Sequence, residues 1–190
     1  MSFMLLGILN AQAAGGGGAE AFDLLETTTL TSSAASVTFS GLGAYSDYKH
    51  LQIRMLTRAD TSGFADNYMQ FNGDSAANYG THRLIGSGSS VSSSWLAAEG
   101  YIRLGDSERL TQSVADSFGP TIVDLLDFAS TTKTTTARVL SGRTGGVGGG
   151  SPRIFLNSGL WTSTDAITSV LFKNFANYVA GTRISLYGVK

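Results

Sequence analysis

The 190-residue chain carries 13 basic and 14 acidic residues, for a formal net charge of −1, and contains no cysteine. The absence of cysteine excludes disulfide bonds and thiolate chemistry, and the near-neutral charge gives no long-range attraction for phosphate, which disfavours nucleic acid as a partner. Only 14% of the residues are charged, against about 25% in ordinary soluble domains, so glycine, serine and threonine supply much of the polar surface.

The N-terminal stretch carries no charged side chain before Glu20. It contains an apolar arm, residues 1–12, and a run of consecutive glycines. An isolated helix of this length is marginal in water, so the arm is predicted to be an anchor that needs a partner surface. The anchor side chains are Phe3, Met4, Leu5, Leu6, Ile8 and Leu9, and the hinge residues are Gly15, Gly16, Gly17 and Gly18. We assign residues 1–21 to the arm and hinge, and 22–190 to one β domain.

Two other interpretations of the arm are disfavoured. Residues 11–13 resemble a signal-peptidase site, but a secretory signal has a basic n-region, and no Lys or Arg precedes Lys49. A membrane span needs about 20 consecutive apolar residues, and this run stops near half that length. The sequence therefore predicts neither a secretory signal nor a membrane span here.

From Leu30 onward apolar and polar residues alternate, which is the pattern of half-buried β-strands rather than of helices. Glycine-rich and hydroxyl-rich loops separate the apolar runs. The predicted strands are 36–40, 51–57, the run that ends at Phe71, 81–85, 94–104, 121–128, 135–140, 153–156, 166–172 and 182–189. About eight to ten short strands with such spacing favour an all-β fold, an antiparallel β-sandwich of jelly-roll type.

The segment 121–128 has a denser apolar pattern, interrupted by two carboxylates. It is predicted to be a strand buried on both faces, with the carboxylates near its ends. Buried carboxylates need partners, and arginines on neighbouring segments could supply them; plain solvent exposure is the alternative. The carboxylates are Asp124 and Asp127, and the candidate partners are Arg138 and Arg143.

No constellation of catalytic residues stands out. The two histidines, His50 and His82, have no metal-ligand spacing between them, and no serine lies in a G-x-S-x-G elbow. The glycine runs lack the lysine of a phosphate-binding loop. A glycosidase needs two carboxylates across a cleft. Asp106 with Glu108, or Asp124 with Asp127, can be named as such a pair, but 106–109 is predicted to be an exposed loop. We therefore expect no catalytic residue, no metal and no cofactor.

Binding chemistry is better represented, because aromatic rings and amide side chains cluster near predicted loops. Such rings stack on sugars or form protein interfaces, and the neighbouring polar groups provide adaptable hydrogen bonds. The candidate receptor contacts are Asn72, Asp74, Asn78, Tyr79, Trp95 and Trp161. The alternative is that the aromatic rings fill the core.

Four stretches, in addition to the arm and its hinge, carry a family resemblance. They are FDLLETTTL at 22–30, YKHLQIR at 48–54, MQFNGD at 69–74 and ISLYGVK at 184–190. Together they resemble small virion structural proteins of tailed bacteriophages, including phages of aquatic bacteria and cyanobacteria. The resemblance spans most of the chain, and none of its motifs is catalytic.

The resemblance implies a non-enzymatic component of the virion with a jelly-roll-like sandwich that assembles as a homotrimer. We expect a tail-fibre or baseplate appendage, anchored by its arm in other virion proteins and facing a host receptor such as a surface glycan. A capsid decoration protein, or cement protein, is the first alternative. The number of copies per particle distinguishes it from a tail appendage, because a decoration protein covers the whole shell. A carbohydrate-active depolymerase is the second, and a free carbohydrate-binding module of a secreted protein is the third.

Overall fold

The computed structural model describes residues 21–63, 65–110, 116–145 and 152–190. Within these ranges the chain forms thirteen β-strands, one short 3-10 helix at Leu42–Tyr45 and no α-helix. The prediction of an all-β fold is confirmed. The anchor side chains and the four hinge glycines lie outside the described residues, so their assignment stays a prediction.

The strands follow one another along the chain with short connections. They are β1 (Asp23–Thr29), β2 (Ala34–Ser40), β3 (His50–Ala59), β4 (Asp66–Phe71), β5 (Tyr79–Ser87), β6 (Ser90–Glu99), β7 (Ile102–Asp106), β8 (Glu108–Arg109), β9 (Gly119–Leu125), β10 (Thr135–Arg143), β11 (Arg153–Trp161), β12 (Ser169–Tyr178) and β13 (Arg183–Val189). Apart from the two-residue parallel pair of β3 with β8, neighbouring strands are antiparallel.

The sheet has a long part and a short part. The long part has the order β6, β5, β11, β10, β9, β3, β13, β1, and the short part has the order β2, β12, β4, β7. The parts join at the end of β3, where Ala59 pairs with Tyr178. Because β7 also packs against β10 and β11, the sheet curls over on itself.

This closure differs from the predicted jelly-roll sandwich, which is not confirmed. A sandwich keeps two separate sheets face to face, whereas here hydrogen bonding continues from the long part into the short part through β3. The result is a nearly barrel-shaped sheet.

The core lies between the two parts of the sheet and follows from strand alternation. In β3, Leu51, Ile53 and Met55 point inward and are buried, while the alternating residues Arg54 and Leu56 are exposed. Each fully buried side chain of this size stabilises the fold by roughly 1.5–3 kcal/mol. The same alternation continues in β9, β10 and β11, so the inner face of the long part is mostly apolar, with the buried Asn157 of β11 as a polar exception.

One glycine allows the two parts to approach closely. Gly159 of β11 faces Ile102 of β7, and a Cβ atom at position 159 would lie 2.5 Å from the Ile102 Cγ2 atom. A larger residue there would force the two strands apart. The backbone of β11 therefore packs directly against a side chain from the short part.

The segment 121–128 is not buried on both faces, as its apolar density had predicted. In β9, Thr121, Val123 and Leu125 are buried, whereas the Ile122 side chain is exposed on the outer face of the long part. The proposed partner for Asp124 is present, since the Arg138 Nη2 atom lies 2.9 Å from its Oδ2 atom. The strand therefore has a buried face and an outer face like its neighbours.

Candidate functional site

Two of the predicted receptor contacts lie in the core. Trp161 and Tyr79 are each 2% exposed, and their rings stack with centroids 6.2 Å apart. The Trp161 Nε1–H group donates a hydrogen bond to the Asp74 Oδ2 atom at 2.8 Å. Rings buried in this way offer no surface to a sugar.

The polar residues near these rings connect two loops to each other. Asp74 also accepts hydrogen bonds from the Asn78 side chain and the Ala76 backbone N–H group. The bond from Trp161 first, and then these two, hold the pKa of Asp74 below its ordinary value. Asn72 accepts from the backbone N–H groups of residues 168 and 169. The structure thus brings five of the six predicted residues together, all except Trp95. They connect the loop after β4 to the loop after β11.

We expect the two tryptophans to differ in their contribution to stability. Trp161→Phe keeps an aromatic ring but leaves Asp74 without its indole donor, which should lower the free energy of unfolding by about 1–3 kcal/mol. Trp95→Phe, at a ring that is 57% exposed, should change it by about 0.5 kcal/mol or less. Urea unfolding of the two variants measures the difference, and equal losses would contradict the buried position of Trp161.

A row of apolar side chains crosses the outer face of the long part. Leu84, Leu156, Leu140 and Ile122 lie directly opposite one another on β5, β11, β10 and β9, and Ile154 lies next to Leu156 on β11. Their exposed fractions range from 39% to 57%. We call these five residues the outer strip. The row covers three strand spacings, or about 14 Å.

The surroundings of the outer strip are suited to contact with a partner. At one end lie Val91 and Trp95 of β6, both exposed. A polar row runs alongside, in which Asp124 binds Arg138 and accepts a hydrogen bond from Gln52 at 2.8 Å. An open hollow of about 460 Å³ adjoins Leu84 and Leu156. Contiguous exposed apolar patches with polar borders mark interaction sites in soluble proteins.

A buried network of charges lies at one end of the molecule, where β7 and β8 meet the long part. The Asp106 Oδ2 atom accepts a hydrogen bond from the Arg143 Nε–H group at 2.8 Å and lies 3.4 Å from Arg153 Nη1. Asp66 is paired with Arg83 and Arg103, at 3.4 and 3.1 Å. These carboxylates therefore have cationic partners inside the fold.

The prediction of an exposed loop at 106–109 is wrong. Asp106 and Glu108 are each 1% exposed. Glu108 accepts hydrogen bonds from the backbone N–H groups of Thr144 and Gly145, which fixes the end of β10. The charges are tolerated inside because each carboxylate has donors in place.

The two aspartates of the network titrate as a pair. Burial, and then the neighbouring Asp66, raise the pKa of Asp106 to about 6. Burial also acts to raise the pKa of Asp66, but the hydrogen bond from Asp106 and the charges of Arg83 and Arg103 hold it below its ordinary value. As the pH falls, Asp106 is therefore protonated before Asp66.

This pairing predicts an unusual pH dependence. Because the pKa of Asp106 rises from 3.8 to about 6 on folding, the folded state binds more protons between these values, and stability falls as the pH rises through them. A shift of two pK units corresponds to a change of about 3 kcal/mol in the free energy of unfolding. The stability of the natural chain relative to Asp106→Asn should therefore decrease between pH 4 and pH 7 in urea unfolding. A relative stability that increases over this range would contradict the assignment.

The histidines show no metal-binding arrangement. The His50 Nδ1 atom accepts a hydrogen bond from the Asp127 backbone N–H group at 3.0 Å, and the His82 ring lies edge-on to Trp95. Over the described ranges, no group of three or more His, Asp or Glu side chains could hold a metal ion. Nor does this part of the chain contain a helix long and apolar enough to cross a membrane.

Comparison of the chain with protein-family models, curated proteins and solved structures finds no match.

The outer strip and the buried charge network were both missed by sequence reasoning. The strip has a sequence signal, since strands that are apolar on both faces contain adjacent apolar residues, such as Val139 with Leu140 and 154–156. The charge network has little, because all its partners except Arg109, which lies 3.7 Å from Asp106, are far apart along the chain.

Proposed function

We propose that the protein is a non-enzymatic structural component of a bacteriophage particle, a trimeric tail-fibre or baseplate appendage. The observation that carries the proposal is the outer strip, an apolar face of five half-exposed side chains with no cover among the described residues. A face of this kind fits a protein that functions in contact with other subunits. The resemblance to phage virion proteins supplies the kind of particle.

The positions of the acidic residues favour a structural role over that of a depolymerase. Asp106 and Glu108 are buried and bonded to neighbouring segments. Asp124 is paired with Arg138, and Asp127 with Lys133 at 2.8 Å. In each pair the carboxylates are engaged with cations or backbone N–H groups that hold parts of the fold together, whereas a glycosidase needs two carboxylates placed on either side of the glycosidic bond.

Recognition of a host surface glycan is assigned to Trp95. Its ring is exposed on β6 at the end of the outer strip, and it packs over Gly80, where a Cβ atom would lie 2.7 Å from the ring. Because the ring is 57% exposed, its solvent-facing side is available for stacking on a sugar. Weak contacts of this kind gain strength when three copies act together.

Incorporation into particles tests the proposed function. A chain that starts at Phe22 contains every described strand, so it is expected to fold but to be missing from purified particles, because it lacks the anchor arm. Quantitative mass spectrometry of particles, with the full chain as control, gives the copy number. Normal incorporation of the shortened chain would disprove the anchor, and a copy number equal to that of the capsid subunits would identify a decoration protein.

A further inference from the structure

The chain that precedes β1 arrives on the outer face of the long part. Phe22, next to the start of β1, lies with its ring centroid 5.1 Å from the Arg54 guanidinium carbon. Arg54 is exposed on β3, and its direct neighbour on β9 is Ile122, the first residue of the outer strip. Phe22, where the N-terminal segment joins the described domain, therefore lies close to the strip.

The arm is long enough to cover the strip of its own chain. Residues 13–21 link the arm to Phe22 and can span at most about 30 Å. The most distant strip residue, Leu84 on β5, lies four strands from β3, or about 19 Å at the usual strand spacing. Counted from β1, where the tether ends, Ile122 lies about 14 Å away and Leu84 about 29 Å away, so the tether reaches the near end of the strip with length to spare and the far end when it is fully extended.

The chemistry of the two surfaces matches. The arm offers six apolar anchor side chains and no charge, and the strip offers five half-exposed apolar side chains. Hollows adjoin both ends of the row, one of about 460 Å³ beside Leu84 and one of about 270 Å³ beside Ile122 and Leu56. A short flexible tether gives an effective concentration in the millimolar range, which favours the chain's own arm over a second copy at micromolar concentration.

We infer that in the free protein the outer strip is the docking surface of the chain's own arm, residues 1–12. The strip is then covered until the arm moves to a neighbouring protein. Transfer of the arm exposes the strip to other copies, so attachment and association become coupled. The docking itself concerns the free chain and does not depend on the proposed function.

Disulfide trapping tests this docking directly, because the chain has no cysteine of its own. The full chain with Leu6→Cys and Leu140→Cys is oxidised at low concentration, and cross-linked peptides are identified by mass spectrometry. The matched control carries Leu6→Cys with Ser36→Cys, at an exposed position of β2 in the short part. We expect the 6–140 bond to form within one chain and at least tenfold faster than the 6–36 bond.

Three outcomes would overturn the inference. Equal rates for the two pairs would show that the arm has no preferred surface. A 6–140 bond between chains would place the arm on a neighbouring copy, and a 140–140 bond would place a second copy on the strip. Circular dichroism checks folding, and Leu156→Cys in place of Leu140→Cys repeats the test at another half-exposed strip position. If the 6–140 bond forms but the natural full chain, which carries no cysteine, does not join particles, the proposed function alone is contradicted.

Discussion

Leu140→Lys together with Leu156→Lys should abolish trimer formation by the chain that starts at Phe22. Both leucines are 49% exposed at the centre of the outer strip and lie directly opposite each other on β10 and β11. About half of each side chain is left to be buried on association, so loss of that burial removes roughly 1.5–3 kcal/mol per protomer, or about 10- to 10²-fold in affinity, and the cost of burying two lysine charges adds to it. Light scattering over a concentration series measures the change in mass.

A matched control adds the same charge elsewhere. Thr38→Lys with Ser40→Lys places two lysines at exposed positions of β2 in the short part, and we expect that variant to remain trimeric. Equal dissociation of both double variants would mean that added charge, not the strip, controls association. If the chain that starts at Phe22 is itself a monomer at micromolar concentration, the proposal of a homotrimer is wrong.

Arg143→Ala should lower the free energy of unfolding far more than the loss of an exposed arginine such as Arg138. The Arg143 side chain is 2% exposed and bonds to Asp106, so its removal leaves a buried carboxylate with weaker partners. Removal of one member of a buried ion pair costs about 3–5 kcal/mol. Urea unfolding at pH 7 measures the loss, which should be smaller at pH 4, where Asp106 is protonated in the fold.

Arg138→Ala is the natural comparison for Arg143→Ala. It breaks an ion pair of similar length, 2.9 Å to Asp124, but its side chain is 73% exposed. Exposed pairs contribute about 0–1 kcal/mol because water and salt screen them. Similar losses in the two variants would show that burial of the charge network does not matter to stability.

Alternation along the chain was enough to predict the all-β class and most strands. It reports which side chains share a face of a strand, as with Leu51, Ile53 and Met55, but not which strands pair. The predicted strand 94–104 is in fact β6 and β7, which belong to different parts of the sheet. The closure through Ala59 and Tyr178 depends on distant pairing, so the sequence pattern could not specify it.

The candidate site was harder to predict than the fold, for a physical reason. Burial of Trp161 depends on the partner it finds in Asp74, 87 residues away in the chain. Asp106 is likewise kept inside the fold by Arg143, which is 37 residues away. Local composition indicates neither contact, because a charged or aromatic residue has the same identity at the surface and in the core.

The position of β1 has a consequence for the timing of synthesis. Among the described strands β1 has β13 as its single neighbour, and Thr27 is 157 residues from its partner Ile184. At about 5–20 residues per second, a ribosome needs about 8–30 s to cover that distance. Until β13 emerges, β1 cannot join the sheet and Phe22 is not held beside Arg54. Strand β1 is therefore synthesised before every other described strand and is among the last to join the sheet.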